Sequence, residues 1–135
     1  MINVTSSPLD PTSVVDKVRT RNVGCVVTYV GVIRNRSKGK MVQFVEYIDY
    51  DKKAADRLRQ IAVDACGKWT TENIAIAHRT GRLTPGDINL IVAVAASHRK
   101  EGFAACRYVI DQFKRRLPTA KSEKYVGNID AIDKK

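Results

Sequence analysis

The segment INLIVAVAA, residues 88–96, most narrows what this chain can become: its only polar side chain is Asn89. A continuous apolar run of that length lacks the alternation of a half-exposed strand, and it predicts a strand buried on both faces. VGCVVTYVGVI, residues 23–33, is rich in β-branched residues and predicts a second buried strand. MVQFVEYIDY, residues 41–50, alternates as a third strand should, and the polar loop RNRSKGK between the two leads us to expect that they pair antiparallel. NIAIAHRTGRL, residues 73–83, reads as a further strand, and LTPGD as a turn.

Helical spacing fills the remainder. Asp10 before Pro11 resembles an N-cap with proline at the first helical position, which predicts a short helix over 11–19. From Asp51 the residues Ala54, Ala55, Leu58, Ile61, Ala62, Ala65 and Trp69 share one face, with Gly67 near the end. Ser97 is expected to cap a last helix running to Leu117, with Phe103, Cys106, Ile110, Phe113 and Leu117 as its buried stripe, and Pro118 stops it. The tail is polar apart from YVGNI, residues 125–129, which could add an edge strand. Helix, two strands, helix, two strands, helix predicts an α+β fold with helices covering a mainly antiparallel sheet. At 135 residues this is one domain, 1–135.

Twenty-four Lys and Arg stand against fourteen Asp and Glu, a formal net charge of +10, and such a surplus calls for an anionic partner: nucleic acid, a phosphorylated or carboxylated small molecule, or an acidic protein. The aromatic share of 7%, with no interleaving of aromatic and basic residues, weighs against a single-strand stacking platform. The opening MINVTSSPLD has neither a basic stretch nor an apolar core of the signal-peptide kind, and no apolar run approaches the roughly 20 residues of a spanning helix, so a cytoplasmic protein is expected. Cys25, Cys66 and Cys106 lie far apart without CxxC spacing and read as small buried thiols; neither disulfide, metal nor cofactor is expected.

Three basic groups follow elements that would hold them firmly. Arg34 and Arg36 leave a strand in GVIRNRSKGK, a glycine-containing loop that could cradle an anion or be no more than a solvated turn. His98 and Arg99 open a helix, where basic side chains oppose the macrodipole, and a bound phosphate or carboxylate would account for them. His78 reads as a satisfied structural histidine beside Arg79. Lys114, Arg115 and Arg116 close a helix, where cations offset its dipole by typically 0.3–1 kcal/mol each. That explanation does not reach Lys121, beyond Pro118; a chain reversal at the proline would bring both lysines to one pocket. A lysine crowded by cations gives up its proton more readily, which suits it to proton transfer.

These motifs, TYVGVIRN, VEYIDY, Trp69 at a helix end, HRTGRLTPGD, ASHR and FKRRLPTAKSE, resemble in order and spacing the MoaE family, the large catalytic subunit of molybdopterin synthase. The resemblance spans about Gly24 to Glu123. It implies an α/β hammerhead with a small added antiparallel β subdomain, and a sulfurtransferase of molybdenum cofactor biosynthesis. That enzyme converts cyclic pyranopterin monophosphate, precursor Z, to molybdopterin. Two sulfurs come from the C-terminal thiocarboxylate of a small ubiquitin-like sulfur carrier of the MoaD type, whose Gly-Gly tail enters the large subunit. A homodimer of large subunits forms the core of a heterotetramer. Carried over by motif, Lys114 and Lys121 match the catalytic lysines, and Arg34, His98 and Arg99 match residues that hold the anionic pterin. Thr119 and Ala120 stand where the family often has a bulky apolar residue and tryptophan, and Ile48 replaces a frequent glutamate. The rival readings are a basic nucleic-acid-binding domain and a catalytically impaired family member acting as an assembly subunit.

Overall fold

The computed structural model describes residues 1–127. In chain order its elements are β1 (Ile2–Thr5), α1 (Pro11–Val18), β2 (Cys25–Val32), β3 (Arg36–Ser37), β4 (Lys40–Ile48), α2 (Ala54–Lys68), β5 (Asn73–Arg79), β6 (Gly81–Leu83), β7 (Ile88–Ala96), α3 (Arg99–Arg115) and β8 (Ala120–Tyr125).

The apolar run 88–96 is β7, and it is the axis of the main sheet, whose strand order is β1-β5-β7-β2. Its alternate side chains face two different cores. Leu90, Val92 and Val94 pack with Leu58 and Ile61 of α2 and Val109 and Phe113 of α3. Ile91, Ala93 and Ala95 pack with Val14 and Val18 of α1. The alanines lie on the α1 side, where short side chains let a two-turn helix approach the sheet closely. Every pairing in this sheet is antiparallel except β1 with β5. The smaller sheet is built on β4, which pairs with β3, β6 and β8, and Val45 is opposite both Leu83 and Glu123. The fold is thus α+β with a mainly antiparallel sheet between helices and a small added β unit, as expected.

Six local expectations are corrected. β2 does not pair with β4: it pairs with β7, Cys25 opposite Ala96, while β4 belongs to the other sheet. The reason is the loop between them, which makes its own hairpin. Ser37 is opposite Lys40, and Lys38 and Gly39 between them have φ of 55° and 76°. Two positive-φ residues in a two-residue loop form the turn that matches strand twist. The stretch 73–83 is two strands in two sheets, β5 and β6, with the corner at Gly81, φ 91°.

Ser97 does not cap the last helix. The capping position is His98, which makes no side-chain cap bond. Backbone packing occupies Ser97 instead: Gly24 N donates to Ala96 O at 3.0 Å, and a Cβ on Gly24 would sit 2.1 Å from the Ser97 oxygen. The buried face of α3 is Gly102, Ala105, Cys106, Val109 and Phe113, and Phe103 is 60% exposed. The thiols differ as well: Cys106 is buried, Cys25 half-buried and Cys66 exposed, since Cys66 is one helical step from the buried Ala65. Finally, the terminal edge strand begins earlier than expected, at Ala120, and includes Lys121; Asn128 and Ile129 of the expected strand lie outside the described residues. Among the described residues no helix is long and apolar enough to cross a membrane.

Candidate active site

Lys114 is in the last turn of α3, and Lys121 is the second residue of β8. Between them Pro118 has no amide hydrogen to extend the helix, and the chain turns back to pair with β4, placing Lys121 opposite Tyr47. Two side chains from distant segments hold that reversal. Arg57 of α2, paired with both carboxylate oxygens of Asp51, donates from Nη1 to the Pro118 carbonyl at 3.2 Å. His78 of β5 bonds through Nε2 to the Thr119 hydroxyl at 2.9 Å. Pro118 and Thr119 are buried although the lysines on either side are exposed.

The reversal brings the lysines to one cavity of about 440 Å³, which Arg34 and Arg36 also line. Arg34 is held there by the turn after β6: Gly86 N donates to Ile33 O and Ile33 N to Asp87 O, both at 2.9 Å. Four cations thus face one space, with Glu123 as the acidic counterweight. The Glu123 carboxylate lies 3.6 Å from Lys121 Nζ. It also accepts the Tyr125 hydroxyl at 2.6 Å, and this bond is the main cause holding its carboxyl below the usual range. Cations in excess over one carboxylate leave positive potential for an anionic ligand. In the chain alone the cavity is open to water, and the Lys121 side chain is 42% exposed.

His98 and Arg99 are elsewhere. They line a separate concavity with Gly24, Cys25, Ser97 and Lys100, at the opposite end of β7 from Asn89. Nine strand residues at about 3.3 Å each separate the two ends by roughly 25 Å, so within one chain this pair does not join the lysines.

Behind the lysines is a polar group that sequence reasoning did not place at the site. His78 is fully buried, and burial pushes its imidazole below the ordinary range. Its Nδ1 bonds the Asn89 carbonyl at 2.9 Å, and its ring meets Tyr47 and Phe113 edge-on at 4.9 and 5.0 Å. The structural-histidine expectation holds. Asn89 and Tyr47 both line the cavity, and Asn89 Nδ2 donates to the Tyr47 oxygen at 3.2 Å. Asn89 did carry a signal, being the one polar side chain in an otherwise apolar strand; Tyr47 and Glu123 carried none beyond their motifs.

A cationic cavity between a helix end and an edge strand, backed by a buried polar group on this α+β frame, defines a protein shaped to receive anions. The chain belongs to the MoaE family: the family described as MoaE protein matches residues 4–116. The molybdopterin synthase catalytic subunit of Bacillus subtilis is 32% identical over 120 residues, 89% of this chain and 76% of that protein. That of a Nostoc species is 44% identical over 101 residues, 74% of this chain and 61% of that protein. The crystal structure of molybdopterin synthase from Staphylococcus aureus superposes with a TM-score of 0.85 at 29% identity, covering 91% of this chain and 90% of that one.

Proposed function

We propose that this chain, acting as one domain, is the catalytic subunit of a molybdopterin synthase: a cytoplasmic sulfurtransferase that converts cyclic pyranopterin monophosphate to molybdopterin, with a small sulfur-carrier subunit delivering the sulfur as a C-terminal thiocarboxylate. The observation that carries this reading is the convergence of Lys114, Lys121 and Arg34 on one cavity. The reaction brings together two anions, a thiocarboxylate and a cyclic phosphate, and held cations offset their repulsion while fixing their approach. Entry of the partner's C-terminal tail would close the open cavity and remove water, which strengthens each of those attractions.

Lys114 grips the carboxylate or thiocarboxylate end of the tail, and Lys121 moves protons as thioesters form and are hydrolysed. Arg34 holds the substrate from the side of β2. His98 and Arg99, too far away within their own chain, complete the site of a second copy in a homodimer, which forms the core of a heterotetramer. The buried bonds at Pro118 and Thr119, which keep the turn that brings both lysines to one cavity, favour this over the assembly-only reading.

The test is reconstitution. Purified chain, precursor Z and thiocarboxylated partner should yield molybdopterin, and unthiolated partner should yield none. Lys121→Ala should lower product formation about 1,000-fold while leaving partner affinity within about twofold, as expected for a group used in proton transfer rather than docking. Full activity in that variant would remove the lysine from the mechanism.

A further inference from the structure

The cations account for bringing anions together, but not for a charge that exists only in passing on a reacting oxygen. Tyr47 is placed for that. It is 4% exposed, lines the lysine cavity, and is directly opposite Lys121 in the antiparallel β4–β8 pair, so both side chains stand on the same face of that pair.

The direction of each hydrogen bond behind Tyr47 follows from what each atom can do. The Asn89 carbonyl can only accept, so His78 Nδ1 bears the proton. Burial keeps the ring neutral, so Nε2 offers its lone pair and the Thr119 hydroxyl donates. Asn89 Nδ2 can only donate, so the Tyr47 oxygen accepts from it and the phenolic proton points elsewhere. Among the described residues no protein acceptor takes that proton. Tyr125 is the contrast: its proton is already committed to Glu123. Burial also raises the Tyr47 phenol above its ordinary range, so it remains a neutral donor near neutral pH.

We infer that the Tyr47 hydroxyl donates a hydrogen bond to the acyl oxygen of the partner's C-terminal group during thioester hydrolysis, with Asn89 as the residue that positions it. This inference rests on the proposed sulfur-transfer reading. Water adds to the acyl carbon of the thioester joining partner and pterin, and the carbonyl π pair moves onto oxygen. As that pair returns, the C–S bond breaks. Sulfur remains on the pterin as a thiolate, the partner leaves as a carboxylate, and the protons of water pass through the Lys121 amine to solvent. Tyr47 keeps its own proton throughout and stabilises the oxygen while it is charged.

The experiment uses the assembled enzyme with thiocarboxylated partner. Tyr47→Phe keeps the ring against His78 and removes only the hydroxyl. Its kcat should fall about 100-fold, the usual loss for one such donor, with KM and partner affinity within about twofold. Asn89→Leu, which leaves the phenol unguided, should lose about 10-fold in kcat, a smaller share of the same effect. Should Tyr47→Phe fold poorly by circular dichroism, 3,5-difluorotyrosine at position 47 gives a second reading: its more acidic phenol should move the alkaline limb of the kcat profile to lower pH, which a packing role would not do. Lys121→Ala is run alongside. Inactive Lys121→Ala with kcat of Tyr47→Phe unchanged, or an unmoved alkaline limb, overturns the Tyr47 inference alone. Fully active Lys121→Ala overturns the sulfur-transfer reading beneath it.

Discussion

Two basic concavities among the described residues lie at opposite ends of β7, and they are built differently. At the Asn89 end, Lys114 and Lys121 sit over buried partners: Thr119 bonded to His78, His78 to Asn89, Asn89 to Tyr47. At the Ala96 end, His98, Arg99 and Lys100 are exposed around a helix start with no side-chain cap. The first pair of lysines is held by groups whose loss would leave buried polar atoms unsatisfied. The second group is free to be ordered by whatever binds it. A site that moves protons needs its atoms positioned before substrate arrives, whereas a site that anchors a phosphate can recruit flexible cations at the time of binding.

The largest effect is expected for Lys121→Ala, in which product formation should fall about 1,000-fold, within the range for loss of a proton-transfer group. His98→Ala should instead raise KM for precursor Z about 10-fold with kcat little changed, as loss of uniform binding does. A steady-state assay of both variants separates the two roles. Mixing the Lys121→Ala and His98→Ala chains tests whether the concavities meet across a dimer. Half the dimers would be mixed, each with one intact composite site, so at precursor Z well below KM, where His98→Ala sites contribute little, activity should rise to about a quarter of wild type; no rise on refolding the mixture under those conditions would place the two groups in separate functions.

Smaller effects concern stability. Thr119→Val leaves His78 Nε2 without a donor in a fully buried position and should cost about 1–3 kcal/mol in denaturant unfolding. The pH dependence follows from the same ring. Burial holds the folded imidazole below its ordinary value of 6.5, so between the two values the unfolded chain binds a proton that the folded chain does not. Stability should therefore fall as pH drops through about 6.5 and level off once the lower folded value is passed. His78→Gln should flatten that region of the curve. Glu123 acts further toward acid: its lowered carboxyl stabilises the fold above the usual carboxylate range, and this is lost as pH falls through the folded value.

Much of the frame was legible because burial writes periodicity into a sequence. The run 88–96 announced a strand covered on both faces, Asp10-Pro11 announced α1, whose first turn the Asp10 carboxylate does cap, and the α2 face was read from its spacing. What misled was local resemblance. Phe103 had the right interval for the α3 stripe, but the face that meets the sheet is set by how α3 crosses β2 and β7, and Gly102 faces them instead, where a Cβ would come 3.0 Å from Val27. The β2–β4 pairing looked natural from the short loop, yet Lys38 and Gly39 already close a hairpin there.

For the site, residue types and motif order were enough to single out Lys114, Lys121 and Arg34 as groups suited to anions, because charge next to a helix stop and a proline is visible in one dimension. Which cations share a cavity, and which lie a strand's length away, depended on pairings between segments tens of residues apart. So did the polar chain from Thr119 to Tyr47. Hydrogen bonds between distant segments leave no period in the sequence, since each partner obeys only its own element's pattern, and the direction in which Tyr47 offers its proton exists only once β4, β5, β7 and β8 have come together.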